Sequence, residues 1–370
     1  MKIPFADLHA QYLSIKGEID AAIAQVIAQS SFIRGPFVEQ FEKRYAELIG
    51  VKHCVSCANG TDALYIAMKA LGLRPGDGVI VPAHTWISSS ETITQAGGEV
   101  VFGDTDAETF TLDAARLEAK ITPRTKGIIV VHLYGQAADM DPILEIARRR
   151  GLWVIEDCAQ AHLALYKGRQ VGTFGVAATF SFYPGKNLGA MGDAGCIVTN
   201  DPALAAPMAM FARHGGLTKG DHVIEGINSR LDGLQAAVLN VKLPHLPGWT
   251  KERRRVASVY NRLLAGVGDL VLPAEAPGRE HVYHLYVIRT GRRDALRAFL
   301  KDRQIESVIN YPVALPFVPA YKRLGHKPED FPVAHASQSR ILSLPVYAEL
   351  TDEMIGVVAG AIRDFFKQNP

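Results

Sequence analysis

Residues 179–195 read TFSFYPGKNLGAMGDAG. Lys186 follows the Pro184-Gly185 turn at the end of an apolar, aromatic run, and small residues follow it. Three chemistries use a lysine so placed. The plainest is a solvated loop lysine. A second is phosphate binding, because Gly-Lys closes a P-loop. That motif needs Gly at position 180 and Ser or Thr at 187, where this chain has Phe180 and Asn187. A third is covalent catalysis, since a lysine desolvated in an apolar site has a lowered pKa and can attack a carbonyl. The segment by itself leaves the choice open.

Four further features bear on it. In CANGTDALYIAMKALGL, apolar residues recur at Leu64, Ala67, Met68 and Leu71, a helical spacing that begins just after Gly60-Thr61. A Gly-Thr turn opening a helix offers free N–H groups to an anion, though an ordinary capped helix reads the same. Trp86 stands just past an apolar strand, where an indole stacks on a planar ring or fills a core. In VIEDCAQA, period-2 alternation sends Glu156 and Asp157 to opposite faces. A carboxylate at a buried strand end needs a partner, and a protonated pyridine nitrogen is one. Ser181 shares its turn with Lys186 and can donate to phosphate. Anion cradle, ring stacker, ring-nitrogen partner and lysine occur in that chain order. Together they point to a pyridoxal phosphate site, and no metal set accompanies them.

The elements that must position these residues are legible as apolar runs at 77–86, 98–106, 126–135, 152–161, 177–185 and 195–201, with amphipathic helices such as DMDPILEIARRRG between several of them. Near-continuous apolar strands separated by helices predict an α/β fold with a mostly parallel sheet covered on both faces. Its site is expected at the carboxyl strand ends, near His84, Trp86, Asp104, Tyr134, Asp157 and Lys186. A helix near 11–29 precedes this region. A helical stretch over about 228–265 follows it and leads into a smaller α+β unit. The predicted domains are 1–249 and 250–370, with the N-terminal segment packing on the smaller one.

The chain has 370 residues, 48% hydrophobic and 21% charged, with a formal net charge of +2. That balance gives no electrostatic footprint for nucleic acid. The basic runs at 148–150 and 251–255 (KERRR) read as solvated helix faces. No signal-peptide pattern or 18-residue apolar run is seen, so no membrane association and a cytoplasmic location are expected. Cys54 and Cys57 form a C-x-x-C, which a short buried strand accounts for better than a redox pair. Cys158 and Cys196 lack zinc-ligand spacing.

Taken together, ANGTDAL, PAHTW, VIEDCAQA, SFYPGKNLGAMGDAG, ARHGG and GINSRLDGLQAA resemble the nucleotide-sugar aminotransferases of the DegT/StrS group over nearly the whole chain. The resemblance implies the fold-type I aminotransferase architecture, with a seven-stranded sheet in the large domain. It places Lys186 as the cofactor-bearing lysine, Asp157 at the pyridine nitrogen, Gln160 near the ring hydroxyl and Trp86 on the ring. Gly60, Thr61 and Ser181 match phosphate contacts. Asn228 matches an asparagine that reaches the phosphate from a second subunit, which implies a homodimer with shared sites. Tyr183, His214, Arg230 and Tyr311 match positions near the sugar nucleotide. L-Glutamate is the implied donor and a nucleotide-linked keto-sugar the acceptor. Many members that aminate C4 carry His-Pro-Val before the lysine. Tyr183-Pro184-Gly185 here is closer to members acting on 3-keto sugars.

Overall fold

The apolar runs, joined by HCVSC, form the strands of one sheet. The computed structural model describes residues 1–368. Its strands in chain order are β1 (His53–Cys57), β2 (Gly78–Pro82), β3 (Glu99–Gly103), β4 (Thr125–Val131) and β5 (Trp153–Asp157). A short hairpin β6 (Leu165–Tyr166) and β7 (Arg169–Gln170) precedes β8 (Ala177–Ser181) and β9 (Gly195–Thr199). The large sheet is seven-stranded, in the order β1-β9-β8-β5-β4-β2-β3. Only β9 pairs antiparallel with its neighbours, so the other six strands end at a common edge.

The strands read as continuous apolar runs because both faces are covered. Ile80, Ile128 and Val130 join one core, whereas Val79, Val81, Ile129 and Val131 join the other. The same alternation disposes of the C-x-x-C. Cys54 and Cys57, an odd number of residues apart on β1, pack into different cores, and both are free thiols.

Helices α1 (Leu8–Ser14), α2 (Lys16–Ala28) and α3 (Pro36–Ile49) precede the sheet; α4 (Gly60–Ala70), α5 (Ser88–Gln95), the single turn α6 (Ala114–Leu117) and α7 (Met140–Arg150) connect its strands. After β9 come α8 (Pro202–Phe211), α9 (Gly233–Lys242) and α10 (Leu246–Leu264). The expected helix over 228–265 therefore begins later, at Gly233, and is broken at 243–245. Residues 228–232 are held extended instead. Asn228 bridges Arg213 and Asp232 bridges Ile33. The Ser229 hydroxyl donates to Asp62 at 2.7 Å and accepts from the Ala58 N–H at 3.0 Å. These tertiary bonds outweigh local helix propensity.

A third core holds Val256, Tyr260 and Leu264 of α10, together with α11 (Arg293–Asp302), the strand pair β10 (Tyr286–Arg289) and β11 (Ile341–Leu344), and α13 (Asp352–Gln368). Ile3 belongs to this core and pairs with Ile305. Helix α10 runs unbroken through residue 250, with Leu246 in a core of the large sheet and Val256 onward in the third. No described helix is long and apolar enough to cross a membrane.

Candidate active site

Two backbone approaches shape the strand-end edge. Asn59 caps α4, its side-chain oxygen accepting from the Asp62 N–H at 2.8 Å. The N–H groups of Gly60 and Thr61 take no acceptor among the described residues. A Cβ on Gly60 would lie 2.7 Å from Cβ of Ser181, and one on Gly195 would lie 2.4 Å from the backbone carbon of Asn59. Only glycine lets β8, β9 and the N-terminus of α4 come this close. The Thr61 hydroxyl meets that of Ser88 at 2.7 Å. The result is a small concave surface of free N–H groups and the hydroxyl of Ser181 at a positive helix end.

Strand β5 carries the two carboxylates in opposite directions. Glu156 is fully buried and accepts from the N–H groups of Gly172 (2.7 Å), Phe174 (2.7 Å) and Gly175 (2.8 Å), and from His132 at 3.0 Å. Burial alone would raise its pKa, but His132 and these N–H groups hold it below the ordinary value. His132, Glu156 and Cys158 bring ligand-type atoms within 4.8 Å of one another. Nδ1 of His132 accepts from the Ala138 N–H at 3.0 Å, so Nε2 carries the proton that Glu156 receives. That cluster is satisfied as it stands.

Asp157 faces the edge. Its oxygens accept from Ser89 Oγ at 2.8 Å and the Ala159 N–H at 3.1 Å. Burial pushes its carboxyl up, against those two bonds and the charge of Lys186. The Lys186 N–H donates to the Tyr183 carbonyl at 2.8 Å, closing the turn read from Pro184-Gly185. Burial lowers the Lys186 amine to about 8, with Asp157 acting the other way. The following residues are pinned. Asn187 donates to the Val282 carbonyl at 3.1 Å, and Lys242 donates to the Gly189 carbonyl at 2.8 Å.

Between these groups lies a cavity of about 860 Å³. Gly60, Thr61, Ser181, Asp157 and Lys186 line it, as do Trp86, Gln160, Tyr183 and Tyr311. Gln160 accepts from the Tyr134 N–H at 2.7 Å and donates to the Tyr311 hydroxyl at 2.9 Å. The Tyr311 ring lies 5.4 Å from that of Trp86, which is 57% exposed. A wide indole face, a buried unpaired carboxylate and an amine of lowered pKa around one cavity can hold a planar cationic ring and attack a carbonyl.

The aminotransferase family model described as DegT/DnrJ/EryC1/StrS matches residues 13–363. The chain belongs to this family. It is 46% identical over 369 residues to a pleiotropic regulatory protein of Geobacillus stearothermophilus, covering 99% of both chains. It is 42% identical to the dTDP-3-amino-3,4,6-trideoxy-α-D-glucose transaminase of Streptomyces venezuelae, covering 98% of this chain and 96% of that one. It is 43% identical to the UDP-N-acetyl-3-dehydro-α-D-glucosamine 3-aminotransferase of Acidithiobacillus ferrooxidans, covering 98% and 97%. Among solved structures, S. venezuelae DesV in complex with a ketimine intermediate superposes with a TM-score of 0.97 at 42% identity and 99% coverage of both chains. NtdA of Bacillus subtilis with bound PMP gives 0.91 at 32%, covering 99% of this chain and 86% of that one.

As a DegT/DnrJ/EryC1/StrS aminotransferase, the protein uses pyridoxal phosphate. The residues present fit that group. The Gly60 approach, which a Cβ would fill, leaves N–H groups free for a phosphate, and Asp157 makes hydrogen bonds to Ser89 and Ala159 but no ion pair among the described residues. Three expected residues stand apart from this cavity. Asn228, His214 and Arg230 are absent from its lining, and the first two are exposed. Two strand-end residues have other duties. Asp104 accepts from the Val333 and Ala334 N–H groups at 3.1 and 3.0 Å, capping α12 (Pro332–Gln338). Tyr134 donates to the Asn310 carbonyl beneath the cavity and lies 2.9 Å from Nε2 of His84.

The KERRR run corrects the reading of a solvated face. Arg253 is 8% exposed and lines the cavity, and Arg254 donates to the His281 carbonyl at 2.8 Å. The signal was present in the spacing: Arg253 lies three, four, seven and eleven residues before the buried Val256, Ala257, Tyr260 and Leu264. The run at 148–150 does remain on the surface, where Arg149 and Arg150 pair with Glu118.

Proposed function

We propose that this enzyme transfers the amino group of L-glutamate to a nucleotide-linked 3-keto sugar, a dTDP-3-keto-6-deoxyhexose, yielding the 3-amino sugar nucleotide. The observation that carries the reading is Lys186, an amine lowered to about 8, sharing one cavity with the buried carboxylate of Asp157 and the free N–H groups of Gly60 and Thr61. When bound, pyridoxal phosphate supplies an aldehyde that holds amino groups and a ring that accepts electrons from the adjacent carbon. Lys186 would be the amine that holds this group, and once displaced by the donor it would move the proton at the donor's Cα as general base and acid. Asp157 keeps the ring nitrogen protonated. Gln160 sits by the ring hydroxyl and Trp86 covers the ring. Gly60, Thr61 and Ser181 take the phosphate.

The exposure of Asn228 and His214, outside their own chain's cavity, supports a homodimer in which these residues and Arg230 reach the partner's site. Tyr183 and Tyr311 line the cavity and are assigned to the sugar nucleotide. The Tyr183-Pro184-Gly185 turn supports the 3-keto position, as do the activities that name the relatives at 42% and 43% identity. Synthesis of surface-polysaccharide or antibiotic sugars in the cytoplasm is the setting this chemistry serves.

The deciding experiment follows the visible absorbance of the holoenzyme with L-glutamate alone, then with a panel of 3-keto and 4-keto sugars on dTDP, UDP and GDP. Bleaching with release of 2-oxoglutarate, reversed by a dTDP-3-keto sugar, is expected. Reversal only by another member of the panel would reassign the acceptor. A regulatory role without transfer is the second reading, favoured by the name of the relative at 46% identity. A holoenzyme spectrum that no amino donor changes would select it.

A further inference from the structure

Two lysine or arginine side chains line the cavity, Lys186 and Arg253. His284 also lines it, but burial holds its imidazole well below the ordinary value and therefore neutral. Arg253 is thus the permanently charged group of this wall. Its Nη1 donates to the carbonyls of Val346 (2.9 Å), Tyr283 (3.1 Å) and His284 (3.3 Å). All three bonds use one corner of the guanidinium. Nε and Nη2 take no acceptor among the described residues, and no carboxylate there comes within ion-pair distance. Burial lowers the group only to about 10, with Glu349 acting the other way from further off.

A buried guanidinium with an open edge is costly until an anion completes it. Its planar fork matches a carboxylate through two parallel N–H bonds. The neighbouring wall is apolar, formed by Phe5, Leu285, Val308 and Val346. The cation is linked to the lysine turn: Arg253 donates to the His284 carbonyl, and the His284 ring meets Asn187, the residue after Lys186, at 3.2 Å. The free N–H groups of Gly60 and Thr61 come from the turn between β1 and α4, which Arg253 does not hydrogen-bond. The cavity therefore offers two distinct anion-receiving places.

We propose that Arg253 anchors the α-carboxylate of the amino-acid donor, and that this contact selects an α-amino acid over a simple amine. The inference rests on the aminotransferase reading. A donor whose amine takes the place of the Lys186 amine carries its α-carboxylate on the adjacent carbon. In the acceptor, by contrast, the fixed negative charge is the diphosphate, remote from a C3 or C4 keto group.

The test compares L-glutamate with 4-aminobutyrate, the same molecule without its α-carboxylate, in the holoenzyme and in Arg253→Gln and Arg253→Lys. The readout is the rate of cofactor bleaching against donor concentration. Wild type is expected to prefer glutamate by about 100-fold or more in kcat/KM. Arg253→Gln should lose about that factor on glutamate, chiefly through KM, and far less on 4-aminobutyrate, so that the preference collapses. Arg253→Lys should recover part of the preference, having the charge without the fork. Equal losses on both amines, or a preference intact in both variants, would overturn the anchor and leave transfer standing. A wild type that no amine bleaches would remove the aminotransferase reading and the anchor with it. The α-amide of glutamate supplies a readout free of substitutions. It should react with wild type as poorly as 4-aminobutyrate, and reaction equal to glutamate would overturn the proposal.

Discussion

Lys186 and Asp157 set each other's charge. With its amine near 8 instead of the ordinary 10.5, roughly a tenth of Lys186 is neutral at pH 7, against about one part in three thousand for a solvated lysine. Only the neutral amine captures an aldehyde. Loading of cofactor-free protein with pyridoxal phosphate should therefore speed up with rising pH and level off above about 8, read as the absorbance appearing in a stopped-flow trace. Asp157 is the group that raises the Lys186 pKa. Asp157→Asn should consequently move that midpoint to lower pH, and an unmoved midpoint would refute the coupling. Lys186→Ala should keep most of its affinity for the cofactor, held by the phosphate cradle, and lose transfer by several orders of magnitude in a steady-state assay. At this scale much was legible. Lys186 and Asp157 declare themselves by type and strand-end position. The partners that tune Asp157, namely Ser89 and Ala159, do not, because a hydroxyl and an N–H gain their meaning only from the fold.

Among the elements, the closest tolerances are at the junction of β1, α4, β8 and β9. Gly195→Ala would put a methyl 2.4 Å from the Asn59 backbone, which no side-chain rotation relieves. A loss of about 1–3 kcal/mol in thermal unfolding is expected, with weakened cofactor binding. Gly60→Ala meets the Ser181 side chain at 2.7 Å instead, so it should cost less stability while still displacing the cradle. Cofactor dissociation constants alongside melting curves separate the two effects. On the far side of β5, Glu156→Gln would set an amide NH₂ against backbone N–H donors. It should cost about 3 kcal/mol or more in denaturant unfolding. The strands were readable from the sequence because they are buried on both faces and hence continuously apolar. The start of α9 was not, because residues 228–232 are held by bonds to Asp62, Arg213 and Ile33, far away in the chain. Arg253 was misread for a related reason: the charged residues of KERRR masked a buried stripe whose apolar members lie further along α10.

For the whole molecule, four histidines held neutral by burial fix the acid limit. Burial lowers His84 to about 4, His162 and His281 to about 3, and His284 well below the ordinary value, so each stays neutral in the fold when the unfolded chain would take a proton. The unfolded state then binds more protons below the ordinary value of 6.5, and stability falls as pH falls. Each histidine adds a slope of up to about 1.4 kcal/mol per pH unit in that window. Urea midpoints taken from about pH 7 down to about pH 5 should drop steeply, and a flat profile would contradict the neutral assignment. His162→Gln should lessen the slope by about a quarter. The order of segments told the sequence reader that one site gathers residues from 60 to 311. The path of α10 from one core into another could not be read, because which core each end of a helix meets is decided by the packing of segments distant in the chain.

The adjacent pair Glu156-Asp157 makes β5 a partition between two electrical compartments. On one side, peptide dipoles keep a carboxylate permanently ionised as a structural rivet. One residue later, on the other side, burial pushes a carboxylate upward from its ordinary value, against two hydrogen bonds and the charge of Lys186. A single-residue insertion or deletion in β5 would swap the compartments, placing the rivet in the cavity and the tunable acid in the core. The register of the strand is thus what decides which carboxylate meets the cavity and which meets the core.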